Sequence, residues 1–256
     1  MRNFNHTSGE YLKIDESEIY CEIFGEAKNP VLLFLHGGLG NMEDFNDIIS
    51  EFPDKFRILG IDSRGHGKST LGMKELTYEL LQNDIEIILK QLNINELTII
   101  GFSNGGTVAY RLAALTNLKI NKLITIGAPW CTQHIEHLME AYSKLTSDVW
   151  RQQCPSDFES YNRLNPKPEF DALFKQSVRM ALDIGTTGRP NEHVKNISCP
   201  SLIVRGENDP IVSLSDIVEL SKLVKNACIL NIPSAGHEAY KDQRGIFTNK
   251  LEEFLC

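Results

Sequence analysis

Six stretches of strand length are apolar almost from end to end, and each breaks off at a glycine or a polar turn. Val31–Leu35 is the first, and residues 56–61, 97–100, 123–126, 201–204 and 228–232 follow. A strand with one wet face alternates apolar and polar residues, whereas a strand covered on both faces does not. Runs of this kind call for a largely parallel sheet sandwiched between helices. The intervening segments supply the helices. In residues 80–92, apolar side chains at 81, 85, 88, 89 and 92 fall on one helical stripe, and Thr77 stands where an N-cap belongs. The chain therefore reads as α/β, a doubly wound sheet. With 256 residues, 41% of them hydrophobic, it can bury a sizeable core.

Two segments depart from this rhythm. Residues 10–14 and 18–23 alternate apolar with polar across a short acidic turn, which predicts a half-exposed antiparallel hairpin at the sheet edge. Residues 131–196 contain no apolar strand run but several amphipathic patterns, such as 170–178, punctuated by Pro166, Pro168 and Gly185. They read as a helical cap inserted between two strands and lying over the sheet's C-terminal edge. The expected division is a core of residues 1–130 and 197–256 with a cap of 131–196.

Charge narrows the partners. With 26 basic and 34 acidic residues the formal net charge is −8, which argues against nucleic acid and against anionic lipid. No apolar run approaches the roughly 20 residues of a membrane span, and residues 1–6 carry no apolar signal core. Six cysteines without paired or metal-like spacing then suggest free thiols in a cytoplasmic protein. Cys199 and Cys228, at the edges of apolar runs, are expected in the core, and Cys256 outside it. No metal or cofactor is indicated, and oligomeric state is not legible.

Ligands of open parallel sheets bind beyond the carboxyl ends of the strands. Those ends here carry His36-Gly37-Gly38-Leu39-Gly40, then residues 62–69, Ser103, Ala128-Pro129-Trp130, residues 206–210 and residues 234–238. Ser103 sits in Gly101-Phe102-Ser103-Asn104-Gly105, between an apolar run and a small-residue helical pattern. A serine on such a strand-to-helix turn is thrust out at a strained corner, and its flanking glycines avoid collisions with neighbouring backbone. The alternative is a glycine-rich turn with a surface serine. Asp209 and His237 stand at two further strand ends, so Ser, Asp and His follow one another in chain order.

With these loops the chain resembles the α/β-hydrolase superfamily over nearly its whole length. The His-Gly-Gly loop, the Asp-x-Arg-Gly-His-Gly-x-Ser loop, the Gly-x-Ser-x-Gly elbow, the Asp after a strand and the late Gly-His occur in the family's order. The resemblance implies the α/β-hydrolase fold: an eight-stranded, mostly parallel sheet with helices on both faces, a helical cap and a Ser-His-Asp triad.

Within that frame Ser103 is the expected nucleophile, which needs a neighbouring base. His237 is the expected base, since imidazole can take the proton and return it to the leaving group. The other histidines fit less well. His36 and His66 lie in loops where the family uses histidine as a buried hydrogen-bonder, and His6 is terminal. His134, His137 and His193 lie in the cap; the spacing of the first two would suit a metal, but without a third ligand they read as a solvated helix face. Asp209 would orient the imidazole; before Pro210 it also suits a turn, and Glu207 is the fallback. The oxyanion hole is expected from the backbone N–H of Asn104 and, by resemblance, of Gly38, with Gly37 the alternative. Gly37, Trp130 and Cys131 are candidate pocket-lining residues. The loop 62–69 reads as structural, with Arg64 paired to a local carboxylate.

The implied reaction is transfer of an acyl group from a small or medium substrate to water. Haloalkane dehalogenases and epoxide hydrolases of the superfamily use Asp at the elbow, and some dienelactone hydrolases use Cys, so Ser103 argues against these. Carboxylic-ester hydrolysis is the first expectation. Carbon–carbon hydrolysis is the runner-up; thioester, amide or N-terminal peptide hydrolysis and perhydrolysis stay open, as does a slow-turnover receptor. A carbon–carbon hydrolase would use a cap arginine, with Arg151, Arg163, Arg179 and Arg189 as candidates. An aminopeptidase would use cap acids, with Glu136, Glu140, Asp148, Asp157 and Glu159 as candidates.

Overall fold

The computed structural model describes residues 3–52, 54–133 and 135–256, the side chains of residues 136 and 137 excepted. Eight strands form one sheet: β1 (Glu10–Ile14), β2 (Ser17–Phe24), β3 (Val31–Leu35), β4 (Arg57–Ile61), β5 (Glu96–Phe102), β6 (Lys119–Ile126), β7 (Ser201–Gly206) and β8 (Ala227–Ile232). Their spatial order is β1-β2-β4-β3-β5-β6-β7-β8. β1 and β2 form the antiparallel hairpin, β2 runs antiparallel to β4, and all later pairings are parallel.

The buried strands divide their side chains between two apolar clusters, one on each face. Leu33, Leu35, Ile99 and Leu123 point to one, and Leu32, Phe34, Ile100 and Ile124 to the other. The first face is covered by α2 (Tyr78–Gln91), α3 (Asn104–Leu115) and α8 (Leu214–Leu223) through Leu81, Ile85, Val108, Leu112, Ile217 and Leu220. The second is covered by α1 (Asn46–Ile49), α9 (Ala239–Asp242) and α10 (Arg244–Leu255) through Ile48, Ile49, Tyr240, Phe247 and Leu251. This two-sided burial is what the unbroken apolar runs demand. Thr77 caps α2, its hydroxyl accepting from the Leu80 N–H at 3.0 Å.

The last run departs from expectation. β8 is an edge strand, and both Cys228 and Ile229 are exposed. Cys228 therefore faces solvent at the sheet edge, with no further strand beyond β8. Cys199 is buried and Cys256 exposed.

Between β6 and β7 run four helices, α4 (Glu136–Lys144), α5 (Ser147–Gln153), α6 (Pro155–Leu164) and α7 (Phe170–Ala181). α7 buries Phe170, Leu173, Phe174, Ser177, Met180 and Ala181. Asn165, just past α6, turns its amide nitrogen to the carbonyls of Gly65, Gly67 and Ser69 at 3.3, 3.1 and 2.9 Å. The Leu76 N–H donates to Gln176 on α7 at 2.8 Å. A 3-10 turn, Asn191–Asn196, returns the chain to the sheet and packs on α3.

The loop after β4 is an internal brace. Arg64 is fully buried and grips Asp84 of α2 through two hydrogen bonds, of 2.8 and 2.7 Å. Asp62, also buried, accepts from the Met42 and Lys68 N–H groups and holds His6. His6 is thus no free tail. Its ring is buried, with Nδ1 2.7 Å from Glu43 and Nε2 2.7 Å from Asp62. Burial alone would depress its pKa; the hydrogen bonds and charges of the two carboxylates reverse this and raise it to about 9.

Candidate active site

Ser103 joins β5 to α3 at φ 50° and ψ −117°, a conformation that costs a side-chain-bearing residue about 1–3 kcal/mol. The turn is held by the Ser103 N–H, which donates to the Ile126 carbonyl at 2.8 Å. Helix and strand approach so closely that a Cβ on Gly101 would lie 2.6 Å from the Gly105 carbonyl oxygen. One on Gly105 would lie 2.5 Å from that of His36. Only glycine fits at either place.

His237, in the loop after β8, brings Nε2 to 3.0 Å from Ser103 Oγ. Its Nδ1 lies 3.0 and 3.1 Å from the two carboxylate oxygens of Asp209, in the loop after β7. Asp209 is buried, and its Oδ1 also accepts from the Ile211 and Val212 N–H groups at 2.8 and 3.2 Å. One side chain thus both ties the turn and contacts the imidazole. Burial alone would raise its carboxyl; the hydrogen bond and charge of His237, with the two amides, hold it below the usual carboxylate range. An ionised Asp209 can only accept, so Nδ1 carries the imidazole proton and Nε2 is left to accept from the Ser103 hydroxyl. Glu207 instead accepts from the Ser234 N–H at 2.9 Å.

Gly127 was not among the expected site residues. At φ 55° it ends β6 beneath the pair, where a Cβ would stand 2.9 Å from the His237 ring and 3.0 Å from Asp209. The signal for it was slight: a glycine directly after an apolar run. Phe102 supports the imidazole from the side, with ring centroids 4.9 Å apart.

A cavity of about 530 Å³ opens over Ser103 and His237. Gly37, Gly38 and Asn104 border it, and the Asn104 side chain is fixed by the Tyr78 hydroxyl, which donates to its Oδ1 at 2.8 Å. As the first residue of α3, Asn104 has a backbone N–H without a partner inside the helix. One wall is charged, with Asp44, Asp157, Glu238 and Lys241. Burial lowers the Lys241 pKa, but the three carboxylates more than offset this and keep its ammonium charged. Further lining comes from Tyr142 and Leu145 at the end of α4, Trp150 of α5, and Phe174, Ser177 and Val178 of α7.

Trp130 and Cys131 do not border this cavity. Both are buried in the core, and the Trp130 indole donates to the Asp216 carbonyl at 3.1 Å, turning the side chain toward α8. His36 is buried in its loop, its Nδ1 2.7 Å from the Gly37 carbonyl and its Nε2 accepting from the Ser63 N–H. His66 is buried beside it, and burial first, then His36, depresses its pKa to about 3. His193 lies exposed on the 3-10 turn. His134 and the side chains of Glu136 and His137 lie outside the described residues. None of the four candidate arginines borders the cavity. Arg151 pairs with Asp148 and Asp171, Arg179 with Glu75, and Arg189 donates to the Ala181 carbonyl. Of the candidate acids whose side chains are described, Asp157 alone borders it.

The fold and the ordered loops have their counterpart among known proteins. A family model described as alpha/beta hydrolase fold matches residues 30–163, more than half of the chain, and the protein belongs to this family. It is 24% identical to the AB hydrolase superfamily protein YisY of Bacillus subtilis, over 96% of this chain and 98% of that one. It is 27% identical to mouse epoxide hydrolase 4, over 96% of this chain and 79% of that one. Among solved structures, an esterase from Exiguobacterium antarcticum superposes with a TM-score of 0.77 at 21% identity, covering 96% of this chain and 98% of that one. The chain is an α/β hydrolase, and no helix among its described residues is long and apolar enough to cross a membrane.

Proposed function

We propose that this protein hydrolyses carboxylic esters of small or medium substrates through an acyl-enzyme on Ser103. The observation that carries this reading is the continuous contact from the Ser103 hydroxyl to His237 Nε2, at 3.0 Å, and from His237 Nδ1 to Asp209, at 3.0 Å. Ser103 attacks the ester carbonyl while His237 takes its proton, and Asp209 stabilises the imidazolium. The N–H groups of Asn104 and Gly38 receive the negative oxygen, that of Asn104 aided by the N-terminus of α3. The imidazolium then protonates the leaving alcohol. Water, deprotonated by the same imidazole, releases the acid. Residues 131–196 act as the cap that shapes the pocket over the core of 1–130 and 197–256.

The epoxide hydrolase relatives do not extend their activity to this chain, because Ser rather than Asp occupies the elbow. Carbon–carbon hydrolysis of a carboxylate-bearing substrate is disfavoured by the charged wall, which carries three acids against one lysine and no arginine.

A fluorophosphonate probe tests the assignment. The folded protein is expected to take up one equivalent at Ser103, read by intact mass and peptide mapping, and Ser103→Ala none. A folded protein that stays unlabelled and leaves short-chain aryl esters intact would falsify the proposal.

A further inference from the structure

In the proposed reaction the oxyanion donors belong to Gly38, in the loop after β3, and Asn104, at the start of α3. One side chain joins the two. The place that a Cβ on Gly38 would take lies 2.5 Å from Asn104 Nδ2 and 3.4 Å from its Cγ, so the carboxamide of Asn104 stands there instead. At the other end of that carboxamide, Oδ1 accepts from the Tyr78 hydroxyl at 2.8 Å. Oxygen and nitrogen diverge from Cγ, so the bond to Tyr78 is what turns the NH2 group to Gly38. Tyr78 is itself held. It is the first residue of α2 and is fully buried. The buried guanidinium of Arg189 lies over its ring, 5.6 Å from the centroid. The N–H of the next residue, Glu79, donates to the Thr187 carbonyl at 3.0 Å. Burial raises the pKa of the phenol, which therefore keeps its proton and donates.

We propose that Tyr78 is a positioning residue for the oxyanion hole, acting through the Asn104 carboxamide, which braces Gly38. The inference rests on the acyl-transfer reading of Ser103 and deepens it. An oxyanion hole works because its donors already stand where negative charge will develop. Gly38 needs a brace for this, since glycine has the widest choice of backbone conformations. The carboxamide occupies the space into which that residue would relax, and it does so with the positive end of its dipole. Without the Tyr78 hydroxyl the carboxamide is free to turn, and both the filling and the dipole are lost. Tyr78 does not border the cavity, so it makes no contact of its own with a substrate there. Its effect falls on the charged transition state and not on binding of the neutral ester.

The test is a kinetic cycle on Tyr78→Phe, Asn104→Ala and the pair, with short-chain aryl esters as probes. Active sites are counted by fluorophosphonate titration, which separates the rate from the fraction of folded protein. Per active site, Tyr78→Phe is expected to lower kcat and kcat/KM together, about tenfold, at unchanged KM. Asn104→Ala is expected to lower both on the order of 10–100-fold. Adding Tyr78→Phe to it is expected to cost about twofold more at most, because the hydroxyl then has nothing to hold. At neutral pH, Asn104→Asp still accepts from Tyr78 but sets a charged oxygen where the NH2 group stood, and it is expected to be slower than Asn104→Ala. A wild-type kcat in Tyr78→Phe overturns the inference, as does a loss confined to KM or full additivity in the double variant. If Tyr78→Phe fails to fold, the order of the two Asn104 variants decides, and an Asp variant as fast as the Ala variant overturns it. A wild type that hydrolyses no ester and takes up no fluorophosphonate sinks the acyl-transfer reading and this role with it. A wild type that does both, beside unimpaired variants, sinks the positioning role alone.

Discussion

Ser103 shows how one position can serve chemistry at the expense of the fold. Its backbone lies in a region that only glycine visits without strain, yet glycine has no hydroxyl. Ser103→Gly is therefore expected to raise stability by about 1 kcal/mol while abolishing fluorophosphonate labelling, whereas Ser103→Ala keeps the strain and gains nothing comparable. Urea titration of the three proteins checks this; equal midpoints would show that the turn is unstrained. The elbow was legible because its requirements are local: two glycines, a strand before and a helix after. Asp209 and His237 were legible as residues at strand ends, though their meeting required the fold. Trp130 and Cys131 misled, since position past a strand end does not fix where a side chain turns. Trp130 turns to the Asp216 carbonyl and away from the cleft.

Among the elements, the N-terminal arm behaves least as the sequence suggests. Nothing in residues 3–9 marks His6 as a buried anchor, because its partners, Glu43 and Asp62, are distant in the chain and charged residues have no periodicity to betray a pairing. The arm's attachment depends on the charge of that imidazole. Its pKa in the fold, about 9, lies above the 6.5 of a free histidine. A raised pKa means that the folded state binds the proton more tightly. The stabilisation is then fully present below about 6.5 and is lost as the pH rises through 9. Thermal melts of wild type and His6→Gln across pH 6 to 10 are expected to differ most at the acidic end and to converge above pH 9. A gap independent of pH would mean that the ring acts by packing alone. In the loop 62–69 a carboxylate partner was expected for Arg64, and it has one. Which one, Asp84, depended on the register of α2.

For the whole molecule, the sheet and its hairpin edge were legible and its other edge was not. Apolar runs report burial on two faces but carry no label for the edge, and so Cys228 was placed inside although β8 ends the sheet. The consequence is chemical. Cys228 and Cys256 are both exposed, while Cys21, Cys131 and Cys199 are buried. Mild oxidation is expected to give covalent dimers on non-reducing gels from the wild type and none from Cys228→Ser/Cys256→Ser. Dimers persisting in that variant would point to Cys154, the remaining partly accessible thiol. The inserted segment was legible as helical, but neither the number of its helices nor their docking was, because amphipathic stripes show that a face is buried without showing against what.

That docking bears on how a substrate enters. One amide, on Asn165, fastens the end of α6 to three carbonyls of the loop that carries Arg64, and Gln176 fastens α7. These inserted segments are thus moored to the core at two points, which entry of a substrate must leave in place or undo.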